Sequence, residues 1–229
     1  MSKQAANYRQ RTTIRVGTRS SRLALKQVEE IVRLLGEQSL RFEVKTYDTS
    51  GDRDKITPIS KIEGGDFFTD TIEKALLNGK IDVAIHSAKD LPDVIDELVV
   101  CALTKSIDPY DVLISKRNLK LDELPYGAKI GTSSLRRKEQ LKKFRCDLQI
   151  VDIRGNIEER LGKLDRSDLD GIVIAAVGLI RLGLEHRITQ RIPLEILKPH
   201  PLQGALAVEV REDDIEMIDL FSELDTRER

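Results

Sequence analysis

The sequence predicts an α/β protein built from two similar units around a cleft. Three observations carry this expectation. Stretches with strand and helix periodicity alternate along most of the chain. The opening IRVG, TRSS and RLALKQ, from residue 14, is repeated in outline by AKIG, TSS and LRRKEQ, from residue 128. The run 171-GIVIAAVG-178 is apolar without interruption, as a strand buried on both faces of a parallel sheet requires. At 229 residues, one domain or two modest ones are both within reach.

Residues 1 to 11 are polar and read as a frayed start. Ile14, Val16 and Gly17 form a short strand that ends in a tight turn. Leu23, Leu25, Val28, Ile31, Val32 and Leu35 then recur near a 3.6-residue period, and Gly36 supplies the helix stop. The segment 42-FEVKTY-47 alternates as a second strand. Residues 48 to 66 hold few apolar anchors and several glycine or proline breaks, so they read as a binding loop or lid. A helix is expected over 67-FFTDTIEKALLNGK-80, then an apolar strand in 81-IDVAIHSAKD-90 that stops at a charged corner.

The strand 98-LVVCAL-103 leads through TKSIDPYD to the run 112-VLI-114, and this change of texture marks a domain crossing. The second unit continues with strand AKIG, helix LRRKEQLKKF, strand LQIVDI, helix NIEERLGKLD and the strand at 171. A return strand, 205-ALAVEVR-211, and an amphipathic ending, 215-IEMIDLFSEL-224, complete the order. The expected division is residues 12–104 with 201–220 as the first cleft-forming domain, 105–200 as the second, and 221–229 as a short remnant.

Composition narrows the function classes. Lys plus Arg number 38 against 39 Asp plus Glu, so no broadly basic surface for nucleic acid is present, and 4% aromatic residues leave little for base stacking. No apolar run approaches the roughly 20 residues of a membrane span, and MSKQAANYRQRTT lacks the apolar stretch of a secretory signal, which gives a cytoplasmic address. Cys101 and Cys146 form no CxxC pair and read as buried or partly buried thiols. Three well-separated histidines give no metal site, and His86 reads as a core or hydrogen-bonding residue.

The chemistry-bearing residues cluster at strand-to-helix corners. In 17-GTRSS-21, Arg19 and small hydroxyl residues stand at a helix start, where unpaired N–H groups favour an anion. The turn 131-GTSSLRR-137 repeats the arrangement and adds Arg136 and Arg137; 154-RGN-156 adds Arg154 and Asn156. Thr18, Ser20, Thr132 and Ser133 serve equally well as helix caps on this reading. Neither GxGxxG nor GxxxxGK[ST] is present, so no nucleotide-phosphate motif explains these corners. His86, Ser87, Lys89 and Asp90 end a strand where open α/β sheets place their ligand crevice. Asp90 suits proton transfer or the stabilisation of a cation, and a simple surface turn remains the competing reading.

Taken together, GTRSSRLALKQ at 17, HSAKDLP at 86, GTSSLRR at 131, RGN at 154 and LQGALAVEVR at 202 resemble the porphobilinogen deaminase (hydroxymethylbilane synthase) family over nearly the whole chain. The resemblance implies two domains of the periplasmic-binding-protein type II fold around a cleft, with the family's third α/β domain absent from this sequence. It implies a transferase of porphyrin, haem and wider tetrapyrrole biosynthesis that condenses four porphobilinogen units with loss of ammonia, and a dipyrromethane cofactor that primes the chain. Asp90 matches the catalytic carboxylate, and Lys89 its cofactor-side neighbour. Arg19, Arg136, Arg137 and Arg154 match residues that hold acetate and propionate groups. Ser133 matches a hydrogen-bonding residue near the cofactor, and Gln203 lies in the matching return segment. Ser20, Ser87, Thr132, Asn156 and Phe68 complete the expected supporting set.

The chain departs from the family pattern at three places. Where the family has a lysine between the glycines and the phenylalanine of its active-site loop, this chain reads 64-GGDFF-68, with Gly65 in the lysine position and Asp66 after it. Val151 stands where a further arginine often precedes RGN. The family's cofactor cysteine belongs to the third domain, and neither Cys101 nor Cys146 matches it, so no attachment residue is identified. The partner expected is a small carboxylated pyrrole, not nucleic acid or membrane, with a protein partner or homo-oligomer left open. The alternative expectation is a non-catalytic two-domain binder of a pyrrole or other small carboxylate.

Overall fold

The computed structural model describes residues 11–36, 39–54, 67–91 and 96–228. The chain forms two five-stranded mixed sheets. The first contains β1 (Thr13–Arg19), β2 (Arg41–Tyr47), β3 (Val83–Ser87), β4 (Leu98–Leu103) and β10 (Leu206–Arg211), in the order β2-β1-β3-β10-β4. The second contains β5 (Asp111–Ser115), β6 (Lys129–Gly131), β7 (Gln149–Val151), β8 (Gly171–Ala175) and β9 (Gln190–Arg191), in the order β7-β6-β8-β5-β9. In each sheet four strands run one way and one runs against them: β10 is antiparallel to β3 and β4, and β5 is antiparallel to β8 and β9. The chain therefore crosses between the sheets twice.

Helices cover both faces of each sheet. Val28, Ile31 and Leu35 of α1 (Arg22–Leu35) and Met217, Leu220 and Phe221 of α7 (Ile215–Ser222) bury one face of the first sheet against Ile14, Val16, Ile85 and Val208. The amphipathic ending thus belongs to this core. On the opposite face, Ile72 and Leu76 of α3 (Asp70–Leu77) pack with Ile81 and Ala84. In the second sheet, α5 (Ile157–Arg166) and α6 (Ala176–Leu182) cover Ile114, Ile172 and Ile174, and Leu141 of α4 (Leu135–Phe144) covers Leu113, Ile130 and Val173. No helix among the described residues is long and apolar enough to cross a membrane.

Several local expectations are corrected. β1 continues through Gly17 to Arg19, because Gly17, Thr18 and Arg19 stay in register with Lys45, Thr46 and Tyr47 of β2. The run at 171 is a strand only to Ala175 and then turns into α6; uninterrupted apolar residues fit a buried strand and a buried helix equally well. The 67–80 helix begins at Asp70, since Phe67 and Phe68 are held in a turn against Gly51 and two arginines. Part of the loop expected over 48–66 is helical, as α2 (Ser50–Arg53), while 55–66, with Gly65 and Asp66, lies outside the described residues. The serines that accept the capping N–H of α1 and α4 are Ser21 and Ser134, not Thr18, Ser20, Thr132 or Ser133. Cys146 is exposed, not buried; Cys101 is buried in β4.

The two units are joined by specific polar contacts. At the crossings, the Ser106 hydroxyl donates to the Gln203 carbonyl at 2.7 Å. Gly204 has φ +94°, and a Cβ there would stand 2.2 Å from Ser106 Oγ, so both its backbone conformation and the close approach demand glycine. Across the interface, Arg181 of α6 donates two hydrogen bonds, at 2.8 and 3.0 Å, to the Glu30 carboxylate of α1, with both side chains buried. A third Arg181 bond reaches the Gly204 carbonyl at 3.0 Å. Removing one partner of such a pair strands the other charge. Glu30→Ala is therefore expected to destabilise the fold by about 3–5 kcal/mol, and the double variant Glu30→Leu/Arg181→Met to recover most of that, read as shifts in the urea-unfolding midpoint.

Candidate functional site

The carboxyl ends of β1, β3, β6 and β8 face one cleft of about 870 Å³ between the two sheets. Among the described residues, nine arginines or lysines line it against four aspartates or glutamates. That excess is invisible in the near-neutral total, since it is local to the cleft.

Asp90 and Lys89 enter the cleft on a 3-10 turn, Ala88–Asp90, that follows β3 directly. The turn is tied down on both sides: the Ala88 amide donates to the Ala205 carbonyl at 3.1 Å, and the Ser87 hydroxyl accepts from Gln27 Nε2 at 2.8 Å. Neither Lys89 nor Asp90 makes a hydrogen bond or salt bridge to another described residue, so both are left for a ligand. Burial lowers the Lys89 ammonium below its ordinary value; Asp90 opposes this, and the nearby Arg137 adds to it.

Arg19 leaves the end of β1 and is held from two directions. Its Nε donates to Asp52 Oδ2 at 3.0 Å, its Nη2 donates to Asp52 Oδ1, and its guanidinium lies 4.8 Å from the centroid of the Phe68 ring. Asp52 is itself fixed by the Thr49 hydroxyl at 2.8 Å and the Thr49 amide at 3.2 Å. Burial would raise the Asp52 pKa, but the Arg19 bonds more than offset it and the carboxyl sits below its ordinary value. Ser20 bonds Asp48, and Thr18 donates to the Ile85 carbonyl at 3.2 Å. Phe68 packs so closely that a Cβ on Gly51 would stand 2.3 Å from its ring.

The second unit contributes most of the positive charge. Asp111, at the start of β5 and fully buried, accepts from Arg136 at 2.6 Å, from Arg137 at 2.7 Å and from Gln203 Nε2 at 2.9 Å. Gln203 also donates to the Pro109 carbonyl at 2.6 Å and accepts from Arg137 at 3.3 Å. Ser133 staples β6 to the strand exit after β7, donating to the Ile153 carbonyl at 2.8 Å and accepting from its amide at 2.9 Å. Arg154 reaches across the cleft to the carbonyls of Gly51 at 3.4 Å and Asp54 at 2.8 Å, with its guanidinium 5.7 Å from the Phe67 ring centroid. Asn156 caps α5 in a reciprocal box with Glu159.

The expected site residues thus converge on one cleft, with the exception of Thr132, which is buried behind it. Among the described residues, buried Arg137 Nε, Arg154 Nη1 and Thr132 Oγ1 have no hydrogen-bond partner. Sequence reasoning missed Arg160, which donates to the Gly155 carbonyl at 2.8 Å from the first turns of α5. Burial first, then the charges of Arg137, Arg154 and Arg19, push its guanidinium down to about 10. Its place four residues after Asn156, on the helix opened by RGN, was the available signal. Asp111 was missed as the counter-charge of Arg136 and Arg137; a lone acid opening the apolar run DVLI was its signal.

Comparison with known proteins gives this geometry a relationship. The family model described as porphobilinogen deaminase, dipyromethane cofactor binding domain, matches residues 14–219. Porphobilinogen deaminase of Natranaerobius thermophilus is 45% identical over 219 residues, covering 94% of this chain and 70% of that protein. That of Bacillus subtilis is 47% identical over 215 residues, covering 92% and 68%. Among solved structures, the methionine binding protein MetQ superposes with a TM-score of 0.56 at 18% identity, covering 93% of this chain and 89% of that one. A periplasmic substrate-binding protein of an ABC transporter from Coxiella burnetii gives 0.56 at 20%, covering 92% and 91%. The fold is therefore that of the type II periplasmic binding proteins.

The buried carboxylate sets a pH dependence. Burial alone would raise Asp111, but Arg137 and Arg136 hold it below the ordinary value of 3.8. A folded-state pKa below the unfolded one contributes stability above the unfolded value and loses it as pH falls through the folded value. Asp111→Asn is expected to lower stability near pH 7 by about 3–5 kcal/mol, with two guanidiniums left facing a neutral amide. Thermal unfolding followed from about pH 5 to about pH 2 is expected to show a shallower acid-induced fall in the variant than in the parent.

Proposed function

The chain belongs to the porphobilinogen deaminase family, and from that premise we propose that it condenses four porphobilinogen units, with release of ammonia at each addition, in cytoplasmic tetrapyrrole biosynthesis. One observation carries the reading: among the described residues, the Asp90 and Lys89 side chains stand without hydrogen-bonding partners in a cleft where basic side chains outnumber acidic ones. A substrate carrying an acetate and a propionate on a small ring meets both requirements, since its carboxylates take the arginines and its ring is left beside one carboxylate.

The family model is that of the dipyrromethane-binding domain, and the cleft fits the carboxylates of such a group. Arg137 Nε and Arg154 Nη1 are buried donors with no acceptor among the described residues, and Arg19 and Arg160 stand beside them. When bound, the cofactor supplies the pyrrole carbon to which porphobilinogen units add. Its thioether does not fit the cysteines present. Cys101 is buried in β4, its thiol pushed by burial up to about 12, and neither it nor exposed Cys146 lines the cleft. No covalent step is assigned to either.

The chain's own residues divide the work. Arg19, Arg136, Arg137 and Arg154 bind and orient carboxylates, with Arg19 and Arg136 presenting whatever edge Asp52 and Asp111 leave uncovered. Asp90 accepts a pyrrole N–H and stabilises positive charge as ammonia departs; its rigid turn holds that negative charge in place before reaction. Lys89, desolvated beside it, holds a neighbouring carboxylate. Ser20, Ser87, Ser133, Asn156 and Gln203 keep these groups in place through their backbone and side-chain bonds.

Porphobilinogen consumption by the purified chain, with preformed hydroxymethylbilane supplied as a source of primer, tests the reading; no consumption would overturn it. Asp90→Asn is expected to lower kcat about 10²- to 10⁴-fold with KM changed only a few-fold. Arg154→Ala is expected to raise KM about tenfold or more, since it removes a charge-assisted contact.

A further inference from the structure

His200 lies in the return segment before β10 and lines the same cleft, although KPHP, the stretch just before LQGALAVEVR, belongs to none of the motifs above. The segment is fixed to the start of α4: Arg136 donates to the Lys198 carbonyl, Gln140 Nε2 donates to the same carbonyl at 3.2 Å, and the Lys198 amide donates to Gln140 Oε1 at 2.8 Å. On the other side, the Gln203 amide donates to the His200 carbonyl at 2.9 Å, and Gln203 is anchored on Asp111. The ring is therefore carried on a rigid support.

Its tautomer follows from one bond. The Leu202 amide donates to His200 Nδ1 at 3.2 Å, so Nδ1 carries a lone pair and the proton of the neutral ring sits on Nε2. In this state His200 has no basic nitrogen to offer the cleft; it offers a neutral donor. Charging it would place a proton on Nδ1, against the Leu202 amide. The charged groups it faces are Lys89 and Asp90 from the turn after β3 and Arg136 from α4. Burial first, then Lys89 and Arg136, lower its pKa below 6.5, opposed by Asp90, so the donor stays neutral at physiological pH.

We propose that His200 is a specificity-determining residue of this cleft, donating its Nε2–H to a ligand carboxylate held between Lys89 and Arg136. The proposal rests on the carboxylated-pyrrole reading of the site and adds to it a donor that discriminates by direction, not by charge. A neutral donor beside two cations leaves less penalty when the site is empty than a third cation would. It still gains a charge-assisted hydrogen bond when a carboxylate arrives.

Three variants separate donation from support. His200→Asn keeps an acceptor for the Leu202 amide but has no donor at the Nε2 position; His200→Leu keeps neither; His200→Gln restores an amide donor near Nε2. In calorimetric titration with porphobilinogen, Asn and Leu are expected to weaken binding about tenfold, and Gln to stay within about threefold of the parent. An Asn variant that binds as tightly as the parent overturns the proposal. A second readout holds even if the parent does not bind porphobilinogen, which would be the failure of the functional reading alone. Two-bond 15N–1H spectra of the histidine rings, with His200 assigned by its loss in the Gln variant, are expected to show an Nε2–H tautomer whose signal moves on addition of succinate. A protonated Nδ1 in the neutral ring, or a signal indifferent to succinate, overturns it.

Discussion

Asp111 is the point on which the cleft depends. One buried carboxylate takes a guanidinium on each oxygen, from Arg136 and Arg137, and shares an oxygen with the Gln203 amide. The acid belongs to the first strand after one chain crossing, the arginines to a helix start of the second unit, and the glutamine to the other crossing. An isolated carboxylate in that position would be neutralised, and two adjacent arginines without it would repel each other. With it, both arginines are held at one orientation and still keep donors directed elsewhere. The binding residues are thereby positioned by the same contact that joins the two halves of the fold.

The remaining positive charge is only partly compensated. Arg160 and Lys89 both have their charged forms disfavoured, first by burial and then by neighbouring arginines, and buried donors on Arg137 and Arg154 have no acceptor among the described residues. Each is a local cost of the unliganded arrangement that an anion removes. Binding of carboxylates is thus favoured twice, by the bonds gained and by the repulsion relieved. Closure works in the same direction. Arg154 reaches the carbonyls of Gly51 and Asp54 from the opposite unit, while Glu30 and Arg181 join α1 to α6 at the back. These contacts tie the two units together and leave the basic lining of the cleft available.

Legibility in the sequence followed the range of the interactions concerned. Elements whose signal is local were readable: α4 occupies the ten residues of LRRKEQLKKF, and the charged corner after β3 carries Lys89 and Asp90 as expected. The arginines were readable because turns with small residues at helix starts mark where ligands are met. What failed was whatever depended on another segment. The apolar run at 171 gives no periodic sign of its change from strand to helix at Ala176. The true cap of α1 is Ser21 because β1 runs on past its apolar residues to Arg19, and Ser134, not Ser133, caps α4 because the Ser133 hydroxyl is engaged with Ile153. Asp52 and Glu30 left no sequence sign as partners of Arg19 and Arg181, and Asp111 only that of an acid opening an apolar run, since each pair joins residues brought together only by the tertiary fold.

The magnitudes also separate selection from retention. A dipyrromethane made of two porphobilinogen units carries four carboxylates, and each charge-assisted contact contributes about 1.5–3 kcal/mol net, or roughly 6–12 kcal/mol together. Association costs about 4–15 kcal/mol in lost freedom, and the relieved repulsion among the arginines offsets part of this. At the favourable end about 8 kcal/mol remains, which corresponds to a Kd of about 1 μM, and at the unfavourable end nothing does. A primer held through several rounds of addition has to dissociate more slowly than each of them, which a micromolar carboxylate contact does not secure and a covalent bond does. The two cysteines of the sequence stand away from the cleft, one with its thiol suppressed by burial and the other exposed beyond α4. The cleft therefore supplies carboxylate contacts beside Asp90, and the holding of a primer is a physically separate property that these arginines do not confer.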